Sequence, residues 1–599
     1  MSSLQATPIH PDPTDGGGVG GNAASSPGPA YSWVSSVEGV STATGNKLTE
    51  IPTVSWTARG GLTVDLTLYH NSENNVGSPS RGAKWALIYD TGLKSDASGN
   101  VHVGWGNGNH YDFGNTSGTY SPPPGIHDRL IANGSPIASY DLIKPDQTNW
   151  HFASYGISGY FQLASISDEN GNSITVNRAA NGGTTGITDP TGRKVTFGFS
   201  NTYYTSITDP MGRVFSFGFD ASGNMSSVTY PVINGTSYSI NLGYDANHNV
   251  TSVQDPRGNT ALSSYNAADN SLAWEQDNVG NRTTFTYGYD GVRNITNALA
   301  TTVRDANSHN TAYWYDSGGR LSTVYDALGN HDAYTFDGGN NLTQKQDRRG
   351  FAWNNTYDGM GNVLTAADPY NNTTTTTYNS HNKPLKVTLP LGRSVTATYD
   401  ASDNLTQALE KDASGNVLAT TGFTYDWGYG LLYSKTDANN HKTLYGYDAN
   451  GYLNGSVTPA GRQYLWNYDS LGFQTSRTDP MNRTVSYTAD AWERLVTTTY
   501  PDSTTATFAY DPNGNLTNFN NYTANWSRTY DADDRETAEY CGTAQAIRYA
   551  YDAPGQKGLK SSFTDSSGRT VSYAYTARNE VSAVAEAAGT TTYLYNPNG

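Results

Sequence analysis

A single cysteine, Cys541, stands among 599 residues, so no intrachain disulfide can form. Packing and backbone pairing must supply the stability that a crosslink would give. No motif surrounds Cys541, and beside Tyr540 it reads as an inert thiol. Glutamate is scarce: it accounts for 11 of the 53 acidic residues, and aspartate for the rest. Charged residues are only 15% of the chain, against about 25% in ordinary soluble domains. A chain this poor in helix formers cannot be mainly helical. Lys and Arg together number 36 and the net charge is −17, which argues against a nucleic-acid or anionic-membrane partner. No stretch approaches the roughly 18 apolar residues of a membrane span. The opening Met1-Ser2-Ser3-Leu4-Gln5-Ala6-Thr7-Pro8 lacks the basic region and apolar core of a signal peptide.

What is abundant points the other way. Gly (63) and Tyr (44), with Asp, Asn and Thr, belong to turns and strands. Residues 1–30 form a Gly/Pro/Ser-rich arm around Gly16-Gly17-Gly18-Val19-Gly20-Gly21, which alone buries too little to order itself. Residues 31–165 read as a small β domain. Within it Gly60–Tyr69 alternates as one half-buried strand, Trp85–Tyr89 reads as another, and His102–Trp105 with His110–Phe113 flank a Gly-Asn turn as a hairpin. Ser121-Pro122-Pro123-Pro124-Gly125 is a rigid connector, because proline fixes φ and donates no hydrogen bond.

From 166 to 599 a repeat takes over. Thr188-Asp189-Pro190-Thr191-Gly192-Arg193 returns as Thr208-Asp209-Pro210-Met211-Gly212-Arg213, and Tyr357, Tyr378 and Tyr399 follow one another at a step of 21. The commonest unit is Tyr-Asp-x-x-Gly-Asn followed by Leu-Thr, as at 510–517. Each unit predicts two short strands and two tight turns. Asp accepts from the amide two residues on, and Gly or Asn takes positive φ. Alternation sets Thr484 and Ser486 on one face, Val485 and Tyr487 on the other. Tyr at a fixed phase predicts aromatic rows whose rings stack. A ribbon of such hairpins must coil, since sheets twist with a fixed hand, and pairing turn upon turn would hide its edges. The expected fold is all-β: a long antiparallel hairpin array coiled into a spiral shell or barrel, preceded by a small β domain. Val581–Ala588 has helical propensity, but the repeat phase predicts strand.

These units resemble those of the RHS/YD-repeat family, of which the teneurin-like YD shells are members. Thr42–Asn46, Arg59–Leu62 and Tyr120–Asp128 also look like the segment that precedes such repeats. The resemblance implies a β-sheet cocoon, secreted or displayed at the cell surface, often enclosing a C-terminal toxin or mediating contact between cells. An Asp-Pro-x-Gly-Leu-type self-cleavage segment and a toxin, which many members carry, are not found before Gly599, so autoproteolysis is not carried over. A toxin shell predicts that the reading frame continues past Gly599.

No catalytic, cofactor-binding or metal residue is assigned. There is no Walker loop and no Gly-x-Ser-x-Gly elbow, and Gly16, Gly18 and Gly21 match Gly-x-Gly-x-x-Gly without a preceding strand. His102, His110, Asp112 and His127 fit no metal spacing. Glu275, Glu410 and Glu493 stand out as isolated glutamates, which read as surface groups before they read as a glycosidase acid and base. The repeated Asp residues read as turn formers, since calcium-loop spacing never occurs. Trp274, Trp314, Trp353, Trp427, Trp466, Trp492 and Trp526 read as packing before sugar stacking. Asn-x-Thr triplets such as Asn341-Leu342-Thr343 arise from the repeat itself. The leading expectation is a non-enzymatic secreted or surface shell or scaffold with a possible toxin cargo or cell-surface glycan or protein partner. A self-associating adhesive protein and a polysaccharide-binding or -cleaving protein are the alternatives.

Overall fold

The turn is the unit from which the chain is built. In the computed structural model, which describes residues 36–37, 39–73, 81–157, 159–200, 203–426, 428–521, 523–542 and 544–598, most of the repeat turns are organised by one aspartate. Asp358 Oδ1 accepts the amides of Met360 and Asn362, both at 2.9 Å, while its Oδ2 accepts Asn362 Nδ2 at 3.0 Å. Asp209 does the same for Met211 and Arg213, with the Arg213 guanidinium replacing the Asn amide at 2.5 Å. Gly361 and Gly212 take φ of 78° and 81°, as the reversal requires. The Asn341 amide of the Asn-x-Thr triplet is held by Asp337 at 3.0 Å, so it serves the turn.

Between turns run short antiparallel strands, and among the described residues 47 of them make one sheet from Gly92–Ser95 to Gly589–Thr592. Consecutive strands pair in sequence order, as in Ser394–Tyr399 with Leu405–Lys411. Strand Tyr160–Ser167 forks the sheet: Asn149–Ser154 lies along one side, while Gly92–Ser95 and Ser173–Arg178 share the other, so the first hairpins fold back and the sheet closes on itself at its beginning. The register slips just before the unit tyrosine in hairpin after hairpin, at Thr356/Tyr357, Thr377/Tyr378, Thr398/Tyr399 and Ala509/Tyr510. A bulge bends its strand and sharpens the twist, so a bulge at every unit makes the ribbon coil.

The tyrosines are held differently from the expected stacking. Tyr357, Tyr399, Tyr447 and Tyr510 donate their hydroxyls to the carbonyls of Leu342, Pro384, Leu432 and Leu495, each fifteen residues earlier, at 2.7–3.0 Å. Each ring thus ties its hairpin to the one before, and the rows are fastened by hydrogen bonds to the backbone where ring-on-ring contact was expected. In Thr484–Ala489 the Val485 and Tyr487 face is half-buried and the Thr484 and Ser486 face exposed, as alternation predicts. Val581–Glu586 is strand, because pairing with Thr570–Tyr575 overrides its helical propensity.

The early region departs from expectation in two places. Gly60–Tyr69 is not one strand: Gly60 and Gly61 turn with φ near 80°, Thr63–Asp65 and Leu68–Asn71 are separate, and Asp65 Oδ1 takes the Thr67 amide at 2.9 Å to break the run. Of Trp85–Tyr89 only Trp85–Ala86 is strand, and a single helical turn, Ile88–Asp90, follows. The hairpin of Val101–Gly104 with His110–Thr116 forms as read, and the three prolines connect Thr119–Ser121 to Arg129–Asn133. The arm at 1–30 lies outside the described residues.

The main core lies where residues 51–87 meet the array. Val54, Trp56, Val64, Leu66, Trp85 and Leu87 pack with Ile187, Val195, Ile207, Phe215, Val228 and Leu242. A second cluster joins Val40 to Leu272, Phe285, Val303, Tyr313 and Tyr315. A small body that touches strands spread over so long an arc sits on the concave side. That side carries the unit tyrosines, since Trp85 Nε1 donates to the Tyr244 hydroxyl at 2.8 Å.

Candidate functional site

Two features of the coil could do chemistry: the seam where its successive turns meet, and the concave face. The seam is built from turns, where edge pairing was expected. Arg193 Nη1 reaches Tyr452 Oη and the Ser470 carbonyl, both at 2.5 Å. Arg213 Nη2 meets Glu493 Oε1 at 2.7 Å, and Trp492 Nε1 donates to the Pro231 carbonyl at 2.8 Å. Arg257 pairs with Asp534 at 2.9 Å, Asn307 Nδ2 donates to the Lys557 carbonyl at 2.9 Å, and Asn598 Nδ2 reaches Asp347 Oδ2 at 2.5 Å. The partners lie 250–280 residues apart, so one turn of the coil holds roughly a dozen hairpins. The Asp-x-x-Gly-Arg/Asn turns of the first coil turn face the Tyr-Asp turns of the second. Arginines bridge them because a planar fork reaches a carboxylate and a carbonyl together.

Two carboxyl pairs also cross the seam. Glu169 lies against Asp403, and burial with that neighbour pushes its carboxyl up to about 7. Asp533 lies against Asp277, and burial with that neighbour raises it likewise to about 7, although the Asn278 amide donates to it at 2.9 Å. Two carboxyls this close keep one proton between them.

On the concave face, Phe508, Phe519 and Trp526 sit opposite one another on three adjacent strands. With Leu516, Thr517 and the Arg528–Glu539 ion pair they line a shallow hollow of about 450 Å³. The Phe508 and Phe519 ring centroids are 5.1 Å apart.

The residues singled out from sequence take structural places. His102 Nδ1 pairs with Asp112 across a hairpin at 2.7 Å, His110 is exposed, and His127 lies under Gly361 in the seam, so these four do not converge. Glu275 pairs with Lys47 at 2.5 Å, Glu410 with Arg393, and Glu493 with Arg213, so no two of the three glutamates form an acid–base couple. Trp274 and Trp314 lie under Arg282 and Arg293, Trp466 stacks on Tyr464, and Trp492 packs on Tyr230 and Tyr238. Trp353 is half-buried, Trp526 lines the hollow, and Trp427 lies outside the described residues. Cys541 is exposed. Sequence reasoning missed the two carboxyl pairs, whose members belong to different turns of the coil. The only signal in the sequence is a departure from the unit: Glu169 follows Asp168 in an Asp-rich array, and Asp533-Asp534 replaces x-Gly.

The RHS Repeat family model matches residues 205–232, 378–417 and 468–505. All three matched stretches lie within the hairpin array, so the array carries RHS repeats. No curated protein matches the chain. Among solved structures, one titled TcdB2-TccC3 is similar at 11% identity over 78% of this chain and 34% of that one, with a TM-score of 0.45. Another, TcdB2-TccC3-TEV, gives 10% over 78% and 36% with 0.47. The Photorhabdus luminescens Tc holotoxin pore carrying TccC3-D651A gives 11% over 81% and 36% with 0.31. This chain spans about a third of the length of those structures.

Proposed function

We propose that this chain is the wall of a secreted or surface-delivered shell, which acts by enclosing and shielding a polypeptide. The observation that carries this reading is the combination of a coiled sheet, two coil turns fastened at a seam, and a concave side covered by residues 40–73 and 81–90 mainly over the first of them. Among the described residues beyond Leu321, Leu471 is the one buried member of the two clusters, with Val324 and Tyr334 packed against the second, and the concave face of the second coil turn keeps tyrosines and phenylalanines half-buried, as at Phe508, Tyr510 and Phe519. A half-buried aromatic lining suits an enclosed chain that offers apolar side chains of its own, a toxin-like cargo among them. Among the described residues no helix is long and apolar enough to cross a membrane.

The test is to append a protease-sensitive polypeptide after residue 599 and treat the fusion with a nonspecific protease. Shielding predicts cleavage of the appended chain at least tenfold slower than in the isolated polypeptide, with the protection lost in denaturant. Equal cleavage rates would overturn the shell reading.

A further inference from the structure

At one point of the seam the two coil turns bring together an imidazole and two carboxylates. Glu169 belongs to the turn Asp168–Asn172 of the first coil turn, His381 to the turn Asn379–Lys383 of the second, and Asp403 to the turn after next, Asp400–Asn404. One ligand atom from each lies within 4.8 Å of the other two. His381 Nδ1 is 2.5 Å from Asp403 Oδ2. We propose that Glu169, His381 and Asp403 form a divalent-cation site of the zinc class that staples one turn of the coil to the next.

The donor set selects the ion. One nitrogen and two carboxylate oxygens suit Zn²⁺ or a neighbouring transition metal, whereas Ca²⁺ and Mg²⁺ favour all-oxygen shells. Three protein ligands leave a fourth position open to water.

The ligands are held in place by their turns. Asn379 Oδ1 accepts the His381 amide at 2.9 Å and the Lys383 amide at 2.8 Å. Asp400 Oδ1 accepts the Ser402 and Asn404 amides at 2.9 Å, which fixes Asp403 at positive φ. Asp168 Oδ1 accepts the Asn170 amide at 2.9 Å and the Asn172 amide at 2.8 Å. Asn170 and Asn404 then donate to each other across the seam at 3.2 and 3.0 Å, beside the three ligands.

The groups that face the site say what a metal would displace. Lys383 Nζ stands 3.0 Å from Glu169 Oε2, and Asn379 Nδ2 is 3.4 Å from Asp403 Oδ1. Lys383 and the His381 ring are thus the groups set against the two carboxyls. A metal binds carboxylate and unprotonated imidazole, so protons compete with it for all three ligands. Affinity therefore rises with pH.

The experiment is titration of the whole chain with Zn²⁺ alone, followed by calorimetry at pH 7.5 in two buffers of different ionisation enthalpy, with thermal melts beside it. The expected result is one ion per chain, released protons and a raised melting temperature. His381→Ala and Asp403→Asn should each weaken binding by roughly tenfold or more. His381 is half exposed, so its replacement leaves the fold intact, as circular dichroism will check. Lys383→Met, which removes the competing ammonium, should tighten binding. No binding by the unaltered chain, or equal affinity in His381→Ala and Asp403→Asn, overturns the site.

Discussion

The unit tyrosine serves as a backbone clamp more than as a packing ring. Tyr510 donates to the Leu495 carbonyl at 2.9 Å from a half-buried position. Tyr510→Phe keeps the ring and removes only that bond, so denaturant unfolding should show a loss of about 1 kcal/mol. A loss indistinguishable from zero would return the row to simple packing. Gly361 carries two constraints at once: its φ is 78°, and a Cβ there would lie 2.3 Å from His127 Nε2. Gly361→Ala should cost more than about 2 kcal/mol in the same measurement, whereas alanine at Gly212, where φ is 81° and nothing lies within 4 Å, should cost only about 1. Equal costs would show that the backbone alone matters. Residue-level meaning was legible for the turn aspartates, since their offsets to the amide donors are fixed by the unit. It was not legible for the tyrosine hydroxyls, whose acceptor is a main-chain oxygen that no side-chain pattern reveals.

At the scale of the element, hairpins and turns were readable from a period of about 21, and so was the strand at Val581–Glu586. The broken run at Gly60–Tyr69 was not, because an Asp65–Thr67 side-chain turn competes with an apparently alternating pattern. The seam was also hidden, since its contacts depend on how many hairpins complete one circuit. Arg213 is its clearest fastener. Arg213→Ala should lower the opening free energy of the turn at 490–494 by about 1–2 kcal/mol, seen as faster amide exchange there and unchanged exchange at 565–569. A uniform change across both turns would count against a local seam.

The carboxyl pairs give the seam a pH dependence whose sign follows from their direction. Glu169 and Asp533 hold protons up to about 7 in the folded chain, above the ordinary carboxyl value. Their contribution is complete below that ordinary value and disappears as pH rises through 7. His70 works in the opposite sense at the sealed end. Burial, with Lys84 nearby, lowers it to about 4 despite Asp245 and its bond to the His248 carbonyl. Its contribution is present above the ordinary histidine value and lost as pH falls towards 4. Thermal melts between pH 5 and 8 should therefore flatten on the alkaline side in Glu169→Gln/Asp533→Asn and on the acid side in His70→Gln. Profiles that keep the slopes of the unaltered chain would show that neither group governs stability.

For the whole molecule, fold class followed from what the chain lacks and repeats: few helix formers, one cysteine and a fixed period leave a coiled sheet as the way to bury hydrophobic faces. The bulge before each tyrosine has a further consequence. Curvature is delivered in equal instalments, one per hairpin, so position along the chain is also angular position around the axis. Arg213 meets Glu493 because a set number of hairpins lies between them. Such a chain behaves like a toothed wheel meshed with itself: excising one whole unit between the two would leave every hairpin sound and yet bring each arginine to the wrong tooth.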